Sequence, residues 1–267
     1  MNCDVSVIIP HYNSTDTLIR AIGSVLVQTL VPKEIIVSDD GSQNARSILE
    51  ILSQSLKHHK NFELLTVIFI ENNQGVSYAR NLAVKSATGI FIAFLDCDDI
   101  WHTQKLERQY QLMTMKNMDF SCHNYVPNLS IEVNQGFNNI INSQLSYKKI
   151  LKSTFIITNP IATPTVMVRR SKFLLFDTNL KRMEDYECWV HNSTRMSIHK
   201  LDLVLAGGFK PAIGHSGLSG NMVKMHESML IALKNLHAKK AINLLFLILA
   251  YSIETIKYPI RLLKVRF

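Results

Sequence analysis

The sequence is poor in cysteine, and its cysteines are not placed for a disulfide framework or a zinc site. Four cysteines occur in 267 residues, without any Cys-x-x-Cys pair (Cys3, Cys97, Cys122 and Cys188). No basic and apolar leader of the secretory type opens the chain. We therefore expect a reducing, cytoplasmic environment, because stable disulfides belong to oxidising compartments.

Glycine motifs that bind phosphate and long apolar runs are also missing. Neither Gly-x-Gly-x-x-Gly nor Gly-Lys-Ser/Thr occurs, which argues against dinucleotide-dependent and P-loop enzymes. The apolar run at residues 241–253 is shorter than the roughly 20 residues that a membrane-spanning helix needs. Apolar residues make up 47% and charged residues only 19% of the chain, which predicts a large folded core.

Negative charge is scarcer than positive charge. The chain has 29 Lys and Arg against 21 Asp and Glu, a net charge of +8. Such an excess favours anionic partners, namely nucleotide phosphates, nucleic acid or an anionic membrane surface. Nucleic acid is disfavoured, because the basic residues lack aromatic interleaving and lie partly in the last segment.

Three of these scarce carboxylates stand close together, at Asp96, Asp98 and Asp99. They follow an apolar run at residues 90–95 that predicts a buried strand, and like charges there require a positive partner. Side chains alternate along a strand, so Asp96 and Asp98 are predicted to point to one side. Two such carboxylates suit a hard divalent cation that is also held by substrate phosphates.

Apolar runs alternate with amphipathic segments before this cluster. The patterns predict four strands and three helices, at residues 5–10, 34–38, 64–70 and 90–95 and at residues 15–28, 45–57 and 76–86. The alternation predicts an α/β fold with a doubly wound, mostly parallel, Rossmann-like sheet. Ligands bind such sheets beyond the strands' carboxyl ends, where Asn13, Asp40, Asn73 and Asp96 fall.

The patterns are weaker after residue 101. They predict helices at residues 104–116 and 183–195, strands at 120–126 and 165–168, and a polar loop at 128–143. These segments indicate a continuation of the same domain and no more about their pairing.

The last segment predicts an amphipathic helix with a kink at Pro259. One side carries Ile242, Leu245, Leu249, Ile253, Ile256 and Ile260, and the other carries Lys239, Asn243, Glu254, Lys257 and Arg261. Together with Lys264 and Arg266, this pattern is typical of a helix that lies in the plane of an anionic membrane. The alternative is a helix packed on the domain or on a second subunit of a homodimer.

At four places the residues also resemble a known family, the family 2 glycosyltransferases, which are nucleotide-sugar-dependent enzymes of the GT-A fold. The motifs are VSVIIPHYN at residues 5–13, VSDDGS at 37–42, NQGVSYARN at 73–81 and FLDCDDIW at 94–101. Shorter matches follow at Glu184-Asp185-Tyr186 and at residues 214–219 (GHSGLS). We expect a glycosyltransferase domain at 1–220, with a nucleotide-binding half at 1–101 and an acceptor-binding half at 102–220. A helical, membrane-associating segment would follow at 221–267.

The resemblance implies roles for particular residues. The residues that would bind the nucleotide-sugar are Pro10, Tyr12, Asn13, Asp40, Asn73, Arg80, Asp96 and Cys97. Tyr12 would flank a uracil, Asp40 would accept from the base imide N–H, and Arg80 would lie near the base or diphosphate. Asp98, with His215 as a further ligand, would hold Mn²⁺ or Mg²⁺. Asp185 would be the general base, with Glu184 as its alternative.

The implied function is an inverting, metal-dependent hexosyl- or N-acetylhexosaminyltransferase that uses a UDP-sugar. Its acceptor would be a lipid-linked saccharide of bacterial O-antigen or capsule synthesis, and the protein would be peripheral on the inner face of the cell membrane. A membrane-tethered nucleotide-sugar-binding or scaffold protein without turnover stays open as the alternative. A glycoside hydrolase would leave the polar clusters at Asp40 and Asn73 unused.

Overall fold

The computed structural model describes residues 3–129, 137, 141, 145–209 and 221–266. The apolar runs of the first part of the chain form a parallel sheet. The elements are β1 (Val5–His11), α1 (Thr15–Leu26), β2 (Glu34–Asp39), α2 (Ala45–Leu56), β3 (Leu65–Phe69), α3 (Val76–Ser86) and β4 (Phe91–Phe94). β1 pairs in parallel with β2 and β4, and β2 pairs in parallel with β3. The predicted alternation is confirmed, and no predicted boundary differs from the observed one by more than two residues.

The second part of the chain extends this sheet with mixed pairing. Its elements are β5 (Asp99–Trp101), α4 (Lys105–Met115), β6 (Phe120–Val126), β7 (Tyr147–Ile150), α5 (Thr154–Ile157), β8 (Met167–Arg169), α6 (Glu184–Asn192), β9 (Ile198–Gly208), α7 (Met222–Ala238) and α8 (Leu244–Arg266). The described strands follow the order β3-β2-β1-β4-β8-β6-β9-β5, and β7 pairs with β9. β8 is antiparallel to β4 and β6, whereas β6 and β9 are parallel.

The structure corrects the prediction for the acidic cluster. Asp96 and Asp98 do not lie on a strand, because the chain turns after β4 and the N–H of Asp99 donates to the carbonyl of Asp96 at 3.1 Å. Asp99 instead begins β5, which pairs with β9. The alternation of side chains along a strand therefore does not determine where these two carboxylates point.

Residues on both faces of the sheet are buried under helices. Val5, Val7 and Ile9 of β1 belong to the core beneath α1, α2 and α4, whereas Ile8 belongs to the core beneath α3, α6, α7 and α8. Trp189 of α6 lies in the second core and is fully buried. Its ring centroid is 5.4 to 5.9 Å from those of three phenylalanines, Phe94, Phe120 and Phe176. The two helix layers identify the doubly wound arrangement.

The predicted helical tail is confirmed as α8, which continues through Pro259. Phe246 and Ala250 of α8 and Leu233 and Leu236 of α7 are buried in the same core as Trp189. None of the helices in the described part of the chain is long and apolar enough to cross a membrane.

Truncation of Trp189 should destabilise the fold strongly. Trp189→Ala removes the ring at the centre of the aromatic cluster, and we expect a loss of about 3–5 kcal/mol in the free energy of unfolding. Its Nε1 has no hydrogen-bond partner among the described residues, so the loss is one of packing. Urea denaturation measures it, with Leu49→Ala at an exposed position of α2 as the control. Equal effects of the two variants would contradict this account of the core.

Candidate active site

Two loops beyond the sheet are joined by a buried network around His11 and Asp39. These residues end β1 and β2 and are register partners. His11 Nδ1 lies 2.6 Å from Asp39 Oδ2, and His11 Nε2 accepts the backbone N–H of Ser14 at 3.1 Å. The Nδ1 position therefore carries the hydrogen that is donated to Asp39. Ser42 Oγ donates to Asp39 Oδ2 at 2.6 Å and accepts the N–H of Asn13 at 2.8 Å. The network fixes both loops, and neither His11 nor Asp39 was predicted to take part.

The predicted base pocket has one exposed aromatic residue. The Tyr12 side chain is 47% exposed beside Pro10, which is buried in β1. Asn13 has a φ of 53° and its side-chain Oδ1 accepts the N–H of Gln43 at 2.9 Å. Tyr12 is therefore available for stacking on a planar ligand, while Pro10 and Asn13 shape the loop that presents it.

Asp40 anchors the start of α3. Its two carboxylate oxygens accept the N–H groups of Gln74 and Gly75, each at 2.8 Å. Burial raises the pKa of Asp40, although both N–H groups oppose the rise. Asn73 is exposed in the same loop. Its backbone lies so close to Gly41 that a Cβ at position 41 would not fit. Each carboxylate oxygen keeps a second lone pair that can accept a hydrogen bond, and acceptance of the imide N–H of a base by Asp40 stays a prediction.

Arg80 of α3 joins the acidic turn to α6. Its Nη2 donates to Asp96 Oδ1 at 2.7 Å and its Nη1 donates to Glu184 Oε1 at 3.2 Å. Burial would lower the pKa of Arg80, but the carboxylates of Asp96 and Glu184 offset it and raise this pKa. The positive partner that the acidic cluster requires is therefore Arg80. The family resemblance implies a guanidinium near a base or diphosphate. In the structure the guanidinium of Arg80 binds two carboxylates.

The two predicted catalytic carboxylates form the first turn of α6. Burial raises the pKa of Glu184 from 4.5 to about 7, with the neighbouring Asp185 adding to the rise and Arg80 opposing it. Burial also raises the pKa of Asp185, against the opposing N–H of Tyr186. Asp185 Oδ2 accepts the side-chain amide of Asn159 at 3.0 Å. Asn159 carries no sequence signal that could have assigned it to this site.

The acidic turn could hold a cation only together with a ligand. Asp96 and Asp98 are partly exposed, whereas Asp99 is buried and accepts the hydroxyl of Tyr125 at 2.8 Å. Cys97 between them is also partly exposed. Within the described residues, no three His, Cys, Asp or Glu side chains are grouped to enclose a metal. One or two carboxylates with substrate phosphates are the usual ligands of Mg²⁺, and Asp96 and Asp98 fit that mode. His215 and the motif at 214–219 lie outside the described residues.

Comparison with known sequences decides the family. Residues 6–175 match the profile of Glycosyl transferase family 2. The chain belongs to this family. It is 36% identical over 204 residues to an uncharacterized glycosyltransferase of Rickettsia conorii, a match that covers 76% of this chain. The chain spans only about a third of that relative, with 32% covered.

A second relative and two solved structures extend the comparison. The Escherichia coli protein named UDP-Glc:alpha-D-GlcNAc-diphosphoundecaprenol beta-1,3-glucosyltransferase WfgD is 36% identical over 188 residues, covering 70% of this chain and 68% of WfgD. Staphylococcus aureus TarS in complex with UDP-GlcNAc aligns with a TM-score of 0.66 and 22% identity, over 88% and 66% of the two chains. The Pyrobaculum calidifontis mannosyltransferase PcManGT with GDP-Man and Mn²⁺ aligns with a TM-score of 0.65 and 15% identity. This alignment covers 89% of this chain and 65% of PcManGT. These structural matches confirm the predicted GT-A fold of the chain.

The raised pKa of Glu184 predicts a pH-dependent stability. Because the folded state holds this proton more tightly than the unfolded state, the contribution of Glu184 is fully present below about pH 4.5. It is lost as the pH rises towards 7. The free energy of unfolding of the wild type, relative to Glu184→Gln, should therefore fall over this range.

Urea denaturation at several pH values measures this difference. Glu63→Gln, at an exposed position, is the matched control and should leave the pH profile of the wild type unchanged. Parallel profiles for the wild type and Glu184→Gln would show that the Glu184 carboxyl is not perturbed.

Proposed function

We propose that the chain is an inverting, metal-dependent glycosyltransferase that moves a sugar from a UDP-sugar to a lipid-linked saccharide. The observation that carries this proposal is the bridge from Asp96 through Arg80 to Glu184, with Asp185 beside it. The bridge joins the acidic turn to the first turn of α6, which supports a single site beyond the carboxyl ends of β1, β2 and β4. Donor and acceptor must meet at such a junction.

The donor class is supported by the base pocket and by the relatives. The exposed ring of Tyr12 can lie against a uracil, and the free lone pairs of Asp40 can accept its imide N–H. WfgD is named for UDP-Glc, and TarS was solved with UDP-GlcNAc. A hexosyl or N-acetylhexosaminyl group is therefore the proposed transferred sugar. The donor site would also be lined by Pro10, Asn13, Asn73 and Cys97.

Asp98, with Asp96 beside it and His215 as a further ligand, would hold Mn²⁺ or Mg²⁺. Mn²⁺ accompanies the donor in the structure of PcManGT. When bound, such a cation neutralises the negative charge that develops on the leaving diphosphate. The chain's own residues position this end of the donor, because Arg80 fixes one oxygen of Asp96 and so orients the turn.

Asp185 is the proposed general base. Its carboxylate takes the proton of the acceptor hydroxyl while that oxygen bonds to the anomeric carbon and the bond from this carbon to the diphosphate breaks. A single displacement inverts the anomeric configuration. The amide of Asn159 holds one oxygen of Asp185 in place. Glu184 is the weaker candidate, because its carboxylate is already engaged by Arg80.

The acceptor and the location follow from the named relatives. WfgD is named for a diphosphoundecaprenol-linked GlcNAc, and the Bacillus subtilis relative TuaG is named for teichuronic acid biosynthesis. We extend this chemistry to a lipid-linked saccharide of a bacterial surface polysaccharide, such as O antigen or capsule. The enzyme would then work as a peripheral protein at the inner face of the cell membrane.

Replacement of the proposed base should separate binding from turnover. With a panel of nucleotide-sugars and Mn²⁺, Asp185→Asn should bind UDP about as tightly as the wild type. Its donor turnover should fall by about 10²-fold or more. Asp202→Asn, at an exposed position of β9, is the control. Full activity of Asp185→Asn would exclude it as the base, and UDP binding without turnover in the wild type would identify a binding or scaffold protein.

Replacement of the proposed metal ligand should act on the metal dependence of donor binding. We expect Mn²⁺ to strengthen the binding of UDP to the wild type, because a cation held by Asp98 would also attract the negatively charged diphosphate. In Asp98→Asn this strengthening should be lost. Calorimetric titration of UDP with Mn²⁺ or with EDTA measures the effect, again with Asp202→Asn as the control. An unchanged response to Mn²⁺ would remove Asp98 from the metal site.

A further inference from the structure

α8 packs on the domain with the side that carries its charged residues. Glu254 is buried, and its carboxylate binds His226 Nδ1 at 2.9 Å and the guanidinium of Arg261. The ammonium of Lys257 donates to the carbonyl of Ile157. The ring of Tyr258 stacks on His226 with 4.2 Å between centroids. The polar side of this amphipathic helix is therefore fixed to the protein.

The packed side of α8 also buries Phe246 and Ala250, and the opposite side, which faces outwards, is rich in apolar residues. Leu245 and Ile256 are each 64% exposed, and among the described side chains of α8 the exposed large apolar ones are Leu244, Leu245, Ile248, Leu249, Ile256 and Ile260. At 1.5 Å per residue this strip is about 24 Å long. Contiguous apolar surface of this kind marks an interaction site.

Positive groups lie at the amino end of this strip. An open cleft of about 560 Å³ is lined there by residues that include Lys152, His237 and Lys240. No described carboxylate lies within 4.0 Å of the ammonium group of Lys152 or Lys240. The side chain of Lys240 is exposed. The ammonium of Lys152 donates to the carbonyl of Ala241 and keeps further donors. An apolar strip beside cations without a described carboxylate partner is complementary to a bilayer surface, which combines an apolar interior with anionic headgroups.

We propose that the outward side of α8 and the adjoining cleft form a docking surface for an anionic phospholipid bilayer. Leu245, Leu249 and Ile256 enter the boundary between headgroups and acyl chains, and Lys152 and Lys240 bind headgroup phosphates. A second copy of the chain is a poorer occupant. In a twofold contact each patch meets its own copy. Such a contact would bring the cations of both copies into one interface, and neither Lys152 nor Lys240 has a carboxylate partner among the described residues.

α8, which carries the docking surface, also contacts the segment that supports Asp185. On its packed side Lys257 binds the carbonyl of Ile157, which is itself exposed. Two residues further on, Asn159 holds the carboxylate of Asp185. The proposal does not depend on glycosyl transfer, so either proposal can fail alone.

Co-sedimentation of the full chain with vesicles tests the surface. We expect binding to phosphatidylglycerol-rich vesicles at low salt to be at least about tenfold tighter than binding to pure phosphatidylcholine vesicles. The double variant Leu245→Asp/Ile256→Asp should bind the anionic vesicles at least about tenfold more weakly than the wild type. The matched control is Leu49→Asp/Met115→Asp, which places the same charges at exposed apolar positions of α2 and α4. It should bind like the wild type.

Thermal melting and UDP titration check that each variant is folded. The proposal would be overturned if the wild type did not bind anionic vesicles, or if the α8 variant bound them as tightly as the control variant. Equal binding to both lipid mixtures would overturn the role of the lysines. A dimer in light scattering that only the α8 variant dissociates, without vesicle binding, would assign the strip to a second copy instead.

Discussion

One buried guanidinium holds the candidate site together. Arg80 binds Asp96 at 2.7 Å and Glu184 at 3.2 Å, although Glu184 lies 104 positions further along the chain. A buried charge is tolerated only when it is paired, and removal of one partner leaves the others unpaired in an apolar setting. The acidic turn after β4 and the first turn of α6 therefore depend on each other for their positions.

The proposed base pocket is connected to this bridge through α3. Asp40 holds the N–H groups at the start of α3, and the same helix carries Arg80 one turn further on. The loop after β2, which begins at Asp40, is in turn fixed to the loop after β1 by His11 and Asp39. Hydrogen bonds and the backbone of α3 thus connect the proposed nucleotide side to Glu184, the chain neighbour of Asp185.

Sequence reasoning predicted the first half of the fold well because each strand there is a continuous apolar run and each loop carries a specific motif. It missed β9, whose apolar residues are interrupted by Lys200 and Asp202 and whose end is Gly207-Gly208. It also missed the partners of Arg80 and Asp185, because long-range ion pairs leave no local pattern. The amphipathicity of α8 was evident, but the side that packs was decided by His226, a residue of another helix.

The central claim is that the site around Arg80 binds the diphosphate of a sugar donor through a cation on the acidic turn. A crystal structure of the chain with UDP and Mn²⁺, with the metal located by anomalous scattering, tests it most directly. We expect Mn²⁺ to be bound to Asp98 and to the diphosphate, with the uracil beside Tyr12 and Asp40. UDP bound elsewhere, or Mn²⁺ away from the turn at residues 95–98, would contradict it.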